Sequence, residues 1–197
     1  KKVFMQTKPT ICIIGLGLMG GSLALALKRA GWAGEITGVS RNPDTLAAAK
    51  AAGAIDYRSL TLADGARGAD IIVLATPVRT LLAQLDEVGR VARPGALVID
   101  LGSTKSEVCA ALDRLPAGLQ PVGGHPMCGK ETGGFAAAEA DLYAGKTFVL
   151  CPLPRASDAA LATARGMAEA AGSRVLILDP AAHDRAAAAI SHLPYLA

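Results

Sequence analysis

The chain has 197 residues, 51% hydrophobic and 19% charged, which is enough apolar surface to bury a sizeable core and excludes disorder over most of its length. A formal net charge of +3, from 20 Lys and Arg against 17 Asp and Glu, is too small and too scattered for a nucleic-acid partner. With aromatics at 4%, stacking platforms for bases are excluded as well.

In chain order, Thr10 to Leu27 comes first: 18 residues without a charge, flanked by lysines. Its length raises a membrane span or a signal peptide. Gly15, Gly17, Gly20 and Gly21 interrupt it, so it divides into a strand, Ile11–Ile14, and a helix, Met19–Ala30, and no membrane association is expected. Further apolar, β-branched runs follow at Ile36–Val39, Ile71–Ala75, Leu97–Ile99, Thr147–Leu150 and Val175–Leu178. Continuous rather than alternating apolarity predicts strands buried on both faces. Between them lie helical stretches: Pro43–Ala52, with Asn42 as N-cap, then Val78–Val91, Ser106–Leu115 and Asp158–Ala171. Gly31, Gly53 and Gly172 sit just past helix ends, where a left-handed residue is cheap. Strand–helix alternation predicts an α/β fold, an open, doubly wound and mostly parallel sheet.

After Asp179-Pro180 the pattern changes. Ala181–Ser191 reads as a new helix with nothing to pack against. The expected division is a dinucleotide-binding domain over 1–179 and the start of a truncated helical domain over 180–197. Four cysteines, Cys12, Cys109, Cys128 and Cys151, are far apart, so there is no CxxC motif and no metal is expected. Cys12 and Cys151 read as small buried hydrophobes, and a reducing cytoplasm fits.

Thr10–Gly20 reads T-I-C-I-I-G-L-G-L-M-G, a strand running into G-x-G-x-x-G and a helix. In this Rossmann-type context Gly15 permits the tight turn, Gly17 lets the backbone approach a pyrophosphate, and Gly20 lets helix and sheet pack closely. Leu16, Leu18 and Met19 belong to the same turn, whose free helix N–H groups would take the pyrophosphate. An NAD site usually places an acid at the end of the second strand. Here that strand ends in Ser40-Arg41-Asn42. A hydroxyl and a guanidinium suit a 2′-phosphate, so NADP is the expected cofactor and NAD the alternative. Ala75, Thr76 and Pro77, ending the next apolar run, are expected along the dinucleotide towards its nicotinamide, though Thr-Pro is also an ordinary helix start.

Three histidines are present, His125, His183 and His192. His is the side chain best suited to exchange protons near neutral pH. His125 lies in V-G-G-H-P-M-C-G, where the glycines and Pro126 suggest a rigid loop with room for a ligand. D-L-G-S-T-K (100–105) follows another strand and brings Gly102, Ser103 and Lys105 to the same sheet edge. Ser103 is a candidate substrate ligand, and Lys105 is a candidate partner for a carboxylate or phosphate. Ser103 or Thr104 would equally cap the following helix.

Together G-L-G-L-M-G-G-S-L-A, D-L-G-S-T-K, G-G-H-P-M-C-G-K-E and S-H-L-P resemble the prephenate/arogenate dehydrogenases of tyrosine biosynthesis, over Ile11 to Leu196. The first motif is shared with many dehydrogenases; G-H-P-M followed by G-x-E, with S-H-L-P later, is far more specific. The resemblance implies NAD(P)-dependent oxidative decarboxylation of prephenate to 4-hydroxyphenylpyruvate, or of arogenate to tyrosine. On the family pattern His125 is the catalytic base on the ring hydroxyl and Ser103 orients that hydroxyl. Glu131 faces the substrate region, and Ser191 and His192 lie near nicotinamide and substrate. Two positions depart from the pattern. Tyr195 stands where the family has a second histidine, and Lys130 stands where a small hydroxyl residue is common, placing a cation beside a substrate carboxylate or Glu131. The family's following helical domain carries an arginine for the ring carboxylate and forms a homodimer. The expectation is therefore that this chain binds dinucleotide with little turnover by itself. β-Hydroxyacid dehydrogenases and imine reductases share G-L-G-x-M-G, but G-H-P-M argues against them. A non-catalytic dinucleotide-sensing module would carry the same glycine turn.

Overall fold

Most of the β-branched runs form the middle of one sheet, where both faces of a strand find apolar cover; the last, Val175–Leu178, falls on an edge strand instead, with Leu176 and Ile177 exposed. A computed structural model describes residues 8–192. Its strands are β1 (Ile11–Ile14), β2 (Ile36–Val39), β3 (Tyr57–Ser59), β4 (Ile71–Leu74), β5 (Leu97–Asp100), β6 (Gln120–Pro126), β7 (Thr147–Pro152) and β8 (Arg174–Ile177). Their order is β3-β2-β1-β4-β5-β6-β7-β8. The first six in that order are mutually parallel; β7 runs antiparallel to β6, and β8 parallel to β7.

Side-chain alternation splits each run between two cores. Ile11, Ile13, Val73 and Ile99 pack under α1 (Leu18–Arg29), α2 (Pro43–Ala51) and α6 (Asp158–Ala170). Cys12, Ile14, Leu74 and Val98 pack under α3 (Leu62–Ala66), α4 (Val78–Val91) and α5 (Ser106–Leu112). This is the expected Rossmann-like α/β architecture. Thr10–Leu27 divides into β1 and α1, and no described helix is long and apolar enough to cross a membrane. Cys12 and Cys151 are fully buried, and burial pushes the Cys12 thiol up to about 12.

Local signals explain most boundaries. The Asn42 side chain accepts the Asp44 N–H at 2.8 Å and caps α2. Gly31, Gly53 and Gly172 have positive φ after α1, α2 and α6. Two short elements, β3 and α3, lacked a sequence signal. Tyr57 and Arg58 are exposed at the sheet edge, so no apolar run marks them.

Three sequence expectations are corrected. His125 is in strand rather than loop: β6 runs on to Pro126 and pairs His125 with Val149 of β7. The glycines that suggested a loop serve close packing instead, since a Cβ at Gly124 would lie 2.4 Å from the Asp100 carbonyl oxygen. Neither Ser103 nor Thr104 caps α5. The Asp184 carboxylate, from α7 (Pro180–His192), accepts the Lys105 and Ser106 N–H groups at 2.7 and 2.8 Å. Through that cap α7 packs against α5, where no partner for it was expected.

Candidate active site

The strand order reverses between β1 and β4, and the carboxyl ends of the strands around that point form the site, as expected for an open α/β sheet. Gly15 turns the chain out of β1 with φ +97°, a conformation that favours glycine. At Gly17 an added Cβ would meet nothing within 4 Å. Gly17 is also the N-cap of α1 and offers no side-chain bond, so the first amides of the helix stay free for an anion. This open backbone fits a diphosphate.

A cleft of about 450 Å³ begins here. Gly15, Leu16 and Gly17 form one wall, Ser40 and Arg41 the end beyond β2, and Ala75, Thr76 and Pro77 the opposite wall. Arg41 is exposed and makes no ion pair among the described residues. A second cavity of about 370 Å³ shares Gly17, Ala75, Thr76 and Pro77 and extends to Leu18, Met19, Gly102 and Ser103. Gly20 lines neither cavity; it is buried beneath the turn. Sequence reasoning missed Thr45, Thr80, Gln84 and Phe135, which complete the first cleft. They sit on elements with no phosphate-binding signature.

Ser103 follows β5, and His125 lies near the end of the neighbouring β6, on this edge. His125 is half-buried, and its Nδ1 lies 2.7 Å from His183 Nε2. Its Nε2 makes no hydrogen bond among the described residues. Burial first, then His183 and Lys105, lower the His125 pKa to about 4 against the pull of Asp184. The ring is therefore neutral near pH 7 and has a lone pair to offer.

Lys105 does not face a ligand. Its ammonium is fully buried, ion-paired with the equally buried Asp100, and bonded to the Gly124 carbonyl at 2.7 Å. Burial pushes the Asp100 carboxyl up; Lys105 and the Gly124 and Gly102 N–H groups oppose that. The pair ties the ends of β5 and β6 together beneath His125.

Lys130 pairs with Glu139 at 2.7 Å rather than with Glu131, which is exposed. Ser191 and His192 lie at the end of α7, with side chains outside the described residues, and Tyr195 lies wholly outside them. The structure also brings in His183 and Asp184, which had no assigned role. Their only sequence signal is a lone His-Asp in an alanine-rich helix.

Comparison with known proteins agrees with this fold. The family model "Prephenate dehydrogenase, nucleotide-binding domain" matches residues 23–177. Prephenate dehydrogenase of Bacillus subtilis (strain 168) is 34% identical over 193 residues, covering 97% of this chain and 52% of that protein. The chain thus spans about half the length of the curated relatives it matches. Synechocystis arogenate dehydrogenase superposes with a TM-score of 0.88 at 34% identity, covering 95% of this chain and 66% of that one. Aquifex aeolicus prephenate dehydrogenase, in complex with hydroxyphenyl propionate and NAD+, superposes with a TM-score of 0.85 at 32% identity, over 100% of this chain and 68% of that one.

Proposed function

Because the chain belongs to the prephenate dehydrogenase family, through its nucleotide-binding domain, we propose that it is the dinucleotide-binding part of an enzyme that oxidatively decarboxylates prephenate or arogenate. The observation that carries this reading is the neutral, half-buried imidazole of His125, bonded through Nδ1 alone among the described residues, on the same sheet edge as Ser103 and the dinucleotide cleft.

A bound nicotinamide dinucleotide would supply the hydride acceptor. The free amides of α1 hold its diphosphate across Gly17. Ser40 and Arg41 receive the adenosine ribose, and the guanidinium suits NADP over NAD. Thr76, Pro77 and Gly102 line the nicotinamide end. His125 Nε2 takes the proton of the substrate's ring hydroxyl as that carbon is oxidised, which is general-base catalysis. Ser103 orients the same hydroxyl. Loss of the ring carboxylate as carbon dioxide then leaves an aromatic product, 4-hydroxyphenylpyruvate or tyrosine.

Lys130, Glu131, Ser191, His192 and Tyr195 are assigned to the substrate side. Lys130 turns to a substrate carboxylate at little cost, because its present pair with Glu139 is exposed and such pairs contribute about 0–1 kcal/mol. Residues 180–197 are read as opening a helical domain through which the longer protein dimerises. Four free cysteines suit a reducing, cytoplasmic setting.

The test is a rate comparison in the protein carrying this domain, crossing prephenate and arogenate with NAD and NADP. His125→Ala should keep dinucleotide affinity and lose about 10²–10⁴ in rate. An unchanged rate in that variant would remove His125 as the base, and dinucleotide binding without turnover of either substrate would favour a sensing module.

A further inference from the structure

His125, His183 and Asp184 form an unbroken hydrogen-bonded chain whose direction is set at one end. His183 Nδ1 lies 2.8 Å from Asp184 Oδ1. Burial works against the Asp184 charge, but hydrogen bonds from Ser106, from His183 and from the Lys105 amide hold its carboxyl well below the usual range. A carboxylate only accepts, so His183 Nδ1 must carry a hydrogen. In the uncharged ring its Nε2 is then a bare acceptor. His125 Nδ1, 2.7 Å away, must therefore donate. That leaves the lone pair of His125 on Nε2, the ring nitrogen with no partner among the described residues.

We propose that Asp184 and His183 are positioning residues that fix the tautomer of His125, so that the imidazole presents a proton-accepting Nε2 to the substrate. Neither touches the substrate; both act through His125. When Nε2 gains a proton, the Nδ1 hydrogen moves toward His183 Nε2, and the positive charge is shared by two rings beside the Asp184 carboxylate. No proton is lost or created in that shift. The arrangement has the logic of a carboxylate orienting a catalytic imidazole, with a second imidazole interposed. Burial holds the relay rigid: His183, on α7, is 1% exposed and meets His125 near the end of β6. Asp184 is fixed by the same two amides it caps, those of Lys105 and Ser106, so the cap of α5 also serves the site.

This deepens the dehydrogenase reading and rests on it for its purpose, but its test does not need turnover. Nitrogen-15 NMR of the chain with labelled histidine reads the protonation of each ring nitrogen directly. The expected wild-type spectrum has His125 with Nδ1 protonated and Nε2 bare. A protonated Nε2 in the neutral ring overturns the proposal, and this measurement requires no variant. His183→Met removes the acceptor and should mix the two tautomers of His125. His183→Gln, whose amide oxygen can accept from Nδ1, should restore the single one. In the protein carrying this domain, His183→Met should lower kcat roughly 10–100-fold with KM little changed, with His183→Gln recovering most of it. The acid limb of its pH profile should rise, because the charged and titratable groups facing His125 are His183, Asp184 and Lys105, and one that lowers it has gone. A wild-type tautomer population in His183→Met overturns the proposal. If the expected tautomer is found but neither prephenate nor arogenate is oxidised with either nucleotide, the relay stands and the dehydrogenase reading fails.

Discussion

Gly20 packs directly against Gly15: a Cβ at Gly20 would come within 2.0 Å of the Gly15 carbonyl oxygen. At Gly17, three residues earlier, a Cβ would meet nothing within 4 Å. One turn thus holds a glycine required by the fold beside a glycine required only by what binds. Gly20→Ala should cost about 1–3 kcal/mol or more from overpacking against backbone, lowering the melting temperature by several degrees. Gly17→Ala should leave the melting temperature within about a degree, yet weaken dinucleotide binding about tenfold or more by filling the approach to the diphosphate. Thermal melts and calorimetric titration of both variants check this. Equal loss of stability in the two would contradict it.

Cofactor choice follows from the end of β2. Arg41 is exposed, without an ion pair among the described residues, and lines the cleft with Ser40. Removing a charged hydrogen-bond partner costs about 1.5–3 kcal/mol, so Arg41→Ala should weaken NADP about 10–100-fold. NAD, lacking the phosphate, should change by less than about threefold. Parallel titrations with the two nucleotides measure the difference, and equal losses for both would remove the assignment.

Much of this arrangement was legible in the residues. The glycine turn, the Asn42 cap and the buried strands depend on contacts within a few positions, and local chemistry specifies them. The end of β6 was not legible, because V-G-G-H-P carries loop residues. Its strand conformation comes from pairing with β7 and from the close approach of Gly124 to Asp100. Lys105 reads as a surface cation until β5 and β6 fold over it. His183 acts 58 residues away from His125, and nothing near it in sequence marks that meeting.

The Asp100–Lys105 pair should dominate stability at the site. Both side chains are fully buried, and removing one partner of such a pair strands a charge at a cost of about 3–5 kcal/mol. Lys105→Met should therefore unfold the protein many degrees earlier. Asp100→Asn combined with Lys105→Met should recover part of that loss, since no charge then remains buried; the Gly102 and Gly124 amides bond separate oxygens of Asp100, and the single Asn oxygen accepts from only one of them. A double variant as unstable as the sum of the single ones would show that the pair is not coupled.

Acid should loosen the site in two windows. The unfolded chain protonates His125 near 6.5, whereas the folded chain resists until about 4, mainly through burial. Between those values the unfolded state binds more protons, so folding stability falls as pH drops through that window and is complete above it. Asp184 acts lower. Its folded pKa is depressed, so its contribution is full above the ordinary carboxylate value near 3.9 and is lost as pH falls further. Melting temperatures taken from pH 7 to pH 3 should decline first between about 6.5 and 4, through His125, and then again below about 4, through Asp184. His125→Gln should flatten the first decline and leave the second. A wild-type melting temperature unchanged from pH 6.5 to 4.5 would mean that the His125 imidazole accepts its proton as readily in the fold as in water.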